Sequence, residues 1–302
     1  MLHTTLSGDG PTLVWAHGLM HSTEFESRTG WFHPDQPDPL RRVRFDARGH
    51  GRSPGSIDPA DYLWSSQAGD LLSLADAQAT GLYALGGHSM GSASALLAAL
   101  RAPEKVSCLV LATPPTAWHT RPAQVRRYRQ MQRIIQQRGL ASLVSLAAQT
   151  PALPAWLLAA RPGDAAASLD ALAQMHADDL LAILDAACQC DLPPAAALEK
   201  LQIPTLILAW RDDPIHPLET AQRLAAALPL AELQVIDDVN ALQRVLESQL
   251  HLRCWRDVEQ LAPGVHLREA MRSGVRASAV FVCCLTATYI RDSPNCMLEL
   301  AE

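Results

Sequence analysis

Short, unbroken apolar runs alternate with stretches of helical period over most of this chain. Thr12 to Ala16, Val43 to Asp46, Leu82 to Gly86, Val106 to Ala112, Ile203 to Ala209 and Leu230 to Ile236 each read as a buried strand. Asp61 to Thr80 reads as helix, with Leu71, Leu74 and Ala75 recurring at helical spacing. Apolar strands buried on both faces, with helices between them, predict an α/β domain: a doubly wound, mostly parallel sheet.

The stretch between the strands at Val106 and Ile203 has no strand pattern. Pro122 suits the first turn of a helix and Gly139 suits its end. Val125, Tyr128, Met131 and Ile134 form its expected apolar stripe, while Arg126, Arg127, Arg129 and Arg133 face elsewhere. Those arginines read as a solvated face or as a basic rim attracting a carboxylate. Further helix is expected around Leu153 to Ala160 and Ala165 to Ala187. Residues 116–195 are therefore read as a helical lid inserted into a core of residues 1–115 and 196–238.

Composition narrows the function classes. The chain has 302 residues and a formal net charge of -6. With no Lys/Arg cluster, a nucleic-acid surface is not expected. No apolar run is long enough for a bilayer, and the first residues lack the pattern of a secretory signal. Seven cysteines without paired spacing fit free thiols in a reducing, cytoplasmic setting, with no metal site and no bound cofactor.

The chemistry centres on Gly87-His88-Ser89-Met90-Gly91, directly after the strand at Leu82 to Gly86 and before an Ala/Leu-rich helix. Strand, sharp turn and helix is the setting in which a G-x-S-x-G serine is presented as a nucleophile. The turn aims Ser89 Oγ at a pocket and puts the Met90 N–H at a helix start, where it can hold an oxyanion. Serine needs a base to take its proton, and the base needs a carboxylate to fix its tautomer. Asp213, after the strand at Ile203 to Ala209 and before Pro214, is the favoured carboxylate. Asp212 is its rival, and either could instead be a turn or cap residue. His17 and His50 read as supports of glycine-bearing loops. His88 faces away from any attacking role. His216 lies three residues beyond Asp213, which is no evidence of a triad partner.

Three motifs, His17-Gly18-Leu19, Asp46-Ala47-Arg48-Gly49-His50-Gly51-Arg52-Ser53 and the serine pentapeptide, make residues 2–238 resemble the α/β-hydrolase superfamily, in its enol-lactonase and esterase-like branch. The resemblance implies Ser89 as nucleophile, the N–H groups of Leu19 and Met90 as oxyanion hole, and Asp213 as orienting acid. The implied partner is a small ester, lactone or related carbonyl substrate. It also implies a histidine after the last strand, where Asp237-Asp238-Val239-Asn240 stands instead. His251 and His266 are the next candidates for the base.

From Val239 onward the chain resembles a TIR domain. Leu250 to Asp257 reads as a strand and charged loop, Leu267 to Val275 as a helix, and Ala279 to Thr286 as a second strand. Ser293-Pro294-Asn295-Cys296-Met297-Leu298-Glu299-Leu300 completes the likeness. Residues 239–302 are read as a partial, flavodoxin-like TIR segment fused, naturally or in the gene model, to the hydrolase's last strand, which stands in for the first TIR strand. The likeness implies TIR-type protein contacts and makes Glu299 the candidate for NAD cleavage, with NAD as substrate only. The alternatives to a working hydrolase are thus a TIR-type signalling or NAD-cleaving protein on a hydrolase scaffold, or an inactive hydrolase fold.

Overall fold

The computed structural model describes residues 1–29, 31–32, 40–150 and 152–237. The apolar runs form strands β2 (Thr12–Ala16), β3 (Arg41–Phe45), β4 (Tyr83–His88), β5 (Val106–Ala112), β6 (Thr205–Trp210) and β7 (Ala231–Ile236), preceded by β1 (Thr4–Ser7). They make one seven-stranded sheet in the order β1-β3-β2-β4-β5-β6-β7. Only β1 is antiparallel, pairing Thr4 with Phe45 and Ser7 with Arg42. The remaining pairs are parallel. Helices α2 (Trp64–Gln78), α3 (Met90–Arg101) and α10 (Leu218–Ala227) contribute Leu71, Leu96 and Leu224 to the main core beside Val14, Leu85, Leu109 and Ile207. Each of these side chains is at most 1% exposed, so each contributes roughly 1.5–3 kcal/mol of apolar burial.

Two elements were not foreseen from the pattern. Strand β1 is too short and polar to show periodicity. Helix α1 (Thr23–Arg28) did carry a signal: Ser22 caps it, accepting the Phe25 N–H at 3.1 Å.

Between β5 and β6 the described residues form only helices: α4 (Arg121–Arg138), α5 (Leu140–Ala147), α6 (Ala155–Ala160), α7 (Gly163–Ala173), α8 (Ala177–Gln189) and α9 (Ala195–Leu198), with a short 3-10 turn at Trp118–Thr120. Helix α4 ends at Gly139, whose φ of 79° suits glycine. Of the expected stripe, Tyr128 is buried and Met131 and Ile134 pack partly buried against the same core cluster, and the buried face also takes in Arg121, Gln124, Gln132 and Ile135. Polar residues can lie inward there because they find partners. Arg121 Nε donates to Cys190 O at 2.8 Å, and Gln132 Nε2 donates to Leu181 O at 3.2 Å. Arg126, Arg127, Arg129 and Arg133 are exposed, and Arg129 pairs with Asp185 at 2.6 Å. The helix expected over 165–187 is broken at Gln174–His176. Asp178 and Asp179 fall in the first turn of α8, where carboxylates favour a helix start.

Candidate active site

The serine turn is built from main chain. Strand β4 stops at His88, α3 starts at Met90, and Ser89 between them has φ 53° and ψ -113°. That conformation is unfavourable for a residue with a Cβ, and it persists only because its surroundings fix it. The Ser89 N–H donates to Ala112 O at 2.9 Å, fastening the turn to β5. A Cβ on Gly87 would lie 2.3 Å from the Gly91 carbonyl carbon, and one on Gly91 would lie 2.0 Å from Ala16 O. Both glycines are therefore imposed by how closely the turn passes over itself and β2. Met90, as the first residue of α3, has an N–H that the helix does not use.

The loop after β2 is held by buried histidines. His17 Nε2 accepts the Ala47 N–H at 2.9 Å, so in the neutral ring Nδ1 carries the hydrogen donated to Gly18 O at 2.7 Å. Burial lowers the pKa of His17 and keeps it uncharged. A Cβ on Gly18 would lie 2.6 Å from His88 Nδ1, so this loop and the serine turn touch. Leu19 follows, packed against the core.

The Asp46-to-Ser53 motif is scaffold. Asp46 Oδ1 accepts the Thr23 N–H at 2.7 Å and Oδ2 accepts the Arg52 N–H at 2.9 Å. Burial would raise its pKa, but these backbone donors outweigh burial and lower it. His50 Nδ1 lies 2.9 Å from Arg48 O, and burial holds its pKa at about 3. Both loop histidines thus act as the supports expected of them.

Asp213 and His216 share one turn. After β6, Asp213 Oδ1 accepts the N–H groups of Ile215 at 2.8 Å and His216 at 2.9 Å. Asp213 Oδ2 is 2.9 Å from His216 Nδ1, and His216 Nε2 is 2.9 Å from Ser89 Oγ. The Asp213 side chain is 1% exposed and that of His216 13%. Burial pushes the Asp213 pKa up, but the bond and charge of His216 and the two backbone donors overcome it, leaving it below the usual carboxylate value. An ionised Asp213 only accepts, so His216 Nδ1 carries the hydrogen and Nε2 is the acceptor facing the Ser89 hydroxyl. Asp212 is exposed, with φ 58°, and points no carboxylate at a histidine in any described contact.

The structure brings Ser89, His216 and Asp213 together, although the spacing of His216 from Asp213 in the sequence is no evidence of that. The fold of the turn, not the spacing, carries it to Ser89. His251, His266 and Glu299 lie outside the described residues. Beside the triad, Trp210 is 5.9 Å from Trp31 and 6.5 Å from Trp156, whose Nε1 donates to Arg211 O at 3.1 Å. Helix α6 thus rests on the turn that holds the base. A cavity of about 610 Å³ adjoins the loop after β2, lined by Met20, His21, Phe25, Arg52, Met175 and Asp179 but by neither Ser89 nor His216. Among the described residues, no group of three His, Cys, Asp or Glu could hold a metal ion. No helix among them is long and apolar enough to cross a membrane.

A mostly parallel sheet carrying a serine on a strained strand-to-helix turn defines the hydrolase class of α/β proteins. The chain belongs to the alpha/beta hydrolase family, whose model matches residues 13–249. A TIR-domain model matches residues 219–302, beginning within α10 and overlapping the hydrolase match. A relative in Pseudomonas savastanoi pv. phaseolicola, named "Putative carbamate hydrolase RutD", is 31% identical over 78% of this chain and 88% of its own length. A protein of the same name in Stutzerimonas stutzeri is 30% identical over 82% and 91%. The fold is similar to that of the enol-lactonase from Burkholderia xenovorans LB400, with TM-score 0.65, 18% identity and coverage of 83% and 93%. It is also similar to a thermophilic esterase from Thermogutta terrifontis, with TM-score 0.65, 21% identity and coverage of 78% and 85%.

Proposed function

We propose that this protein is a cytoplasmic serine hydrolase cleaving a small ester, lactone or related carbonyl compound, carbamates included. The carrying observation is the continuous path Asp213–His216–Ser89, with 2.9 Å at each step between side chains. His216 Nε2 takes the Ser89 proton as Oγ attacks the substrate carbonyl carbon. The oxygen of the tetrahedral intermediate, now an anion, is held by the N–H groups of Leu19 and Met90. The intermediate collapses, the leaving group departs with the proton from His216, and an acyl group remains on Ser89. Water then gives a proton to His216, attacks the acyl carbon, and returns Ser89 as the hydroxyl. Asp213 stays ionised throughout and stabilises the imidazolium. The names of the relatives support a carbamate within the substrate class. The helices of residues 116–195, as a lid over the site, would set which acyl groups enter.

The test is labelling with a fluorophosphonate probe. The native chain should label, Ser89→Ala should not, and His216→Ala should label far more slowly. Native-level labelling of Ser89→Ala would overturn the reading. Hydrolysis of p-nitrophenyl acetate against an aryl carbamate then sorts the carbonyl class.

The TIR-model match supports a second activity or contact surface in residues 239–302, with the hydrolase body as scaffold. Those residues lie outside the described structure. Nicotinamide release from NAD, lost in Glu299→Gln, is the outcome that would favour it; no release would count against NAD as a substrate.

A further inference from the structure

The bond from Asp213 fixes one end of the His216 ring, but a single hydrogen bond leaves the ring free to rock about it. A second contact, off that line, is needed to hold Nε2 at Ser89 Oγ within the tolerance that proton transfer demands. The wall the ring meets is His88, whose ring centroid is 5.7 Å away with the planes 61° apart, an edge-to-face contact.

His88 is itself packed on several sides. It ends β4 in register with Ala112 and is 5% exposed. Its other face is parallel to His21, with centroids 5.3 Å apart and planes 4° apart. His21 is stacked in turn on Phe25 at 3.8 Å. Trp31 lies 4.9 Å away and Trp210 6.2 Å away, closing the sides. Phe25, His21, His88 and His216 thus form a column of flat rings running from α1 to the base. Burial, helped by the neighbouring His216, holds the His88 pKa at about 3. The ring therefore stays neutral and does not repel the imidazolium that forms on His216 during the reaction.

We infer that His88 is a positioning residue for the base: its ring, backed by His21 and Phe25, sets the plane in which His216 presents Nε2 to Ser89. His88 and Ser89 are consecutive in the serine turn. One backbone feature thereby fixes both the nucleophile and the surface against which its base rests. This role rests on His216 being the base.

The experiment is steady-state hydrolysis of p-nitrophenyl acetate by the full chain, with thermal melting of each variant. His88→Leu, which removes the flat ring, is expected to lower kcat by about 10- to 100-fold with KM within about 2-fold. His88→Phe, which keeps a flat ring, is expected to restore kcat to within about 3-fold of the native chain. His21→Ala, which removes the backing only, is expected to lower kcat by about 3- to 10-fold and serves if His88→Leu does not melt cooperatively. Equal kcat in the Leu and Phe variants, or a loss confined to KM, overturns the role of His88. A native chain that neither hydrolyses the ester nor labels at Ser89 overturns the hydrolase reading itself. An active native chain with unaffected His88 and His21 variants overturns only this inference.

Discussion

The serine turn and the acid–base turn stand 2.9 Å apart at Ser89 Oγ and His216 Nε2, yet they are held by different forces. Residues 87–91 are fixed by main chain: a strand, a helix start, a bond to Ala112 O, and two glycines with no room for a Cβ. Residues 213–216 are fixed by side chains: Asp213 accepts two backbone N–H groups and the imidazole, whose ring rests against His88. Steric fixing cannot be titrated or relaxed, whereas side-chain fixing depends on charge. The contrast predicts that changes at the glycines of the first turn damage the fold and changes at the side chains of the second damage the chemistry.

The largest effect is expected at Gly91→Ala. The new Cβ would sit 2.0 Å from Ala16 O, a main-chain atom of the central sheet that cannot move alone. A loss of at least about 4 kcal/mol is expected, seen as little soluble protein or a sharply lowered melting temperature. A variant that melts like the native chain would remove the steric half of the comparison.

His216→Ala should do the opposite, melting almost normally while slowing probe labelling of Ser89 by about 10³- to 10⁴-fold. His251→Ala and His266→Ala should label at the native rate. If one of those two loses the rate and His216→Ala does not, the base comes from the C-terminal segment and the turn is only structural. Asp213→Asn follows with a loss of about 10²- to 10⁴-fold, because an amide can present the wrong hydrogen-bonding face to Nδ1. Asp212→Asn should stay within about 2-fold, since that side chain is exposed and outside the path. A reversal between the two aspartates would reassign the acid.

The same contrast explains what could be read from the chain. Main-chain constraints leave sequence traces: apolar runs for β2 to β7, glycines at 87 and 91, and Gly139 at the end of α4. Gly87 and Gly91 are there because a Cβ does not fit, and Gly139 because its φ is positive, so their presence reports the geometry. The contact of His216 with Ser89 left no such trace. His216 reaches Ser89 only because Asp213 folds its own turn back, and that depends on which carboxylate oxygen meets which donor. Asp-Pro followed by two free N–H groups is a turn signal. One Asp213 oxygen closes the turn while the other meets the imidazole, so the turn signal and the histidine contact come from the same side chain. The face of α4 was legible only in part. Hydrophobicity places Tyr128, Met131 and Ile134 inward, as they are, but does not show Arg121 and Gln132, which are buried because distant carbonyls accept from them.

The smallest and most discriminating effect concerns acid. The Asp213 carboxyl is held below its ordinary value in the fold, so its contribution is complete above the unfolded value of about 3.9 and is lost as pH falls through the folded one. Protonation takes away the charge that favours its bonds to Ile215, His216 and the imidazole, while the glycine contacts of the serine turn are indifferent to it. Acid should therefore loosen the second turn selectively. Between about pH 5 and 8, Asp213 stays charged and the stability of native chain and Asp213→Asn should differ by a constant amount. Below about pH 4 the difference should shrink, because the native carboxyl becomes as neutral as the amide. Thermal melts of both proteins across this range read it directly. A gap that stayed constant down to pH 2 would mean that the charge of Asp213 does not hold the turn, and the distinction between a sterically fixed nucleophile and an electrostatically fixed base would lose its second half.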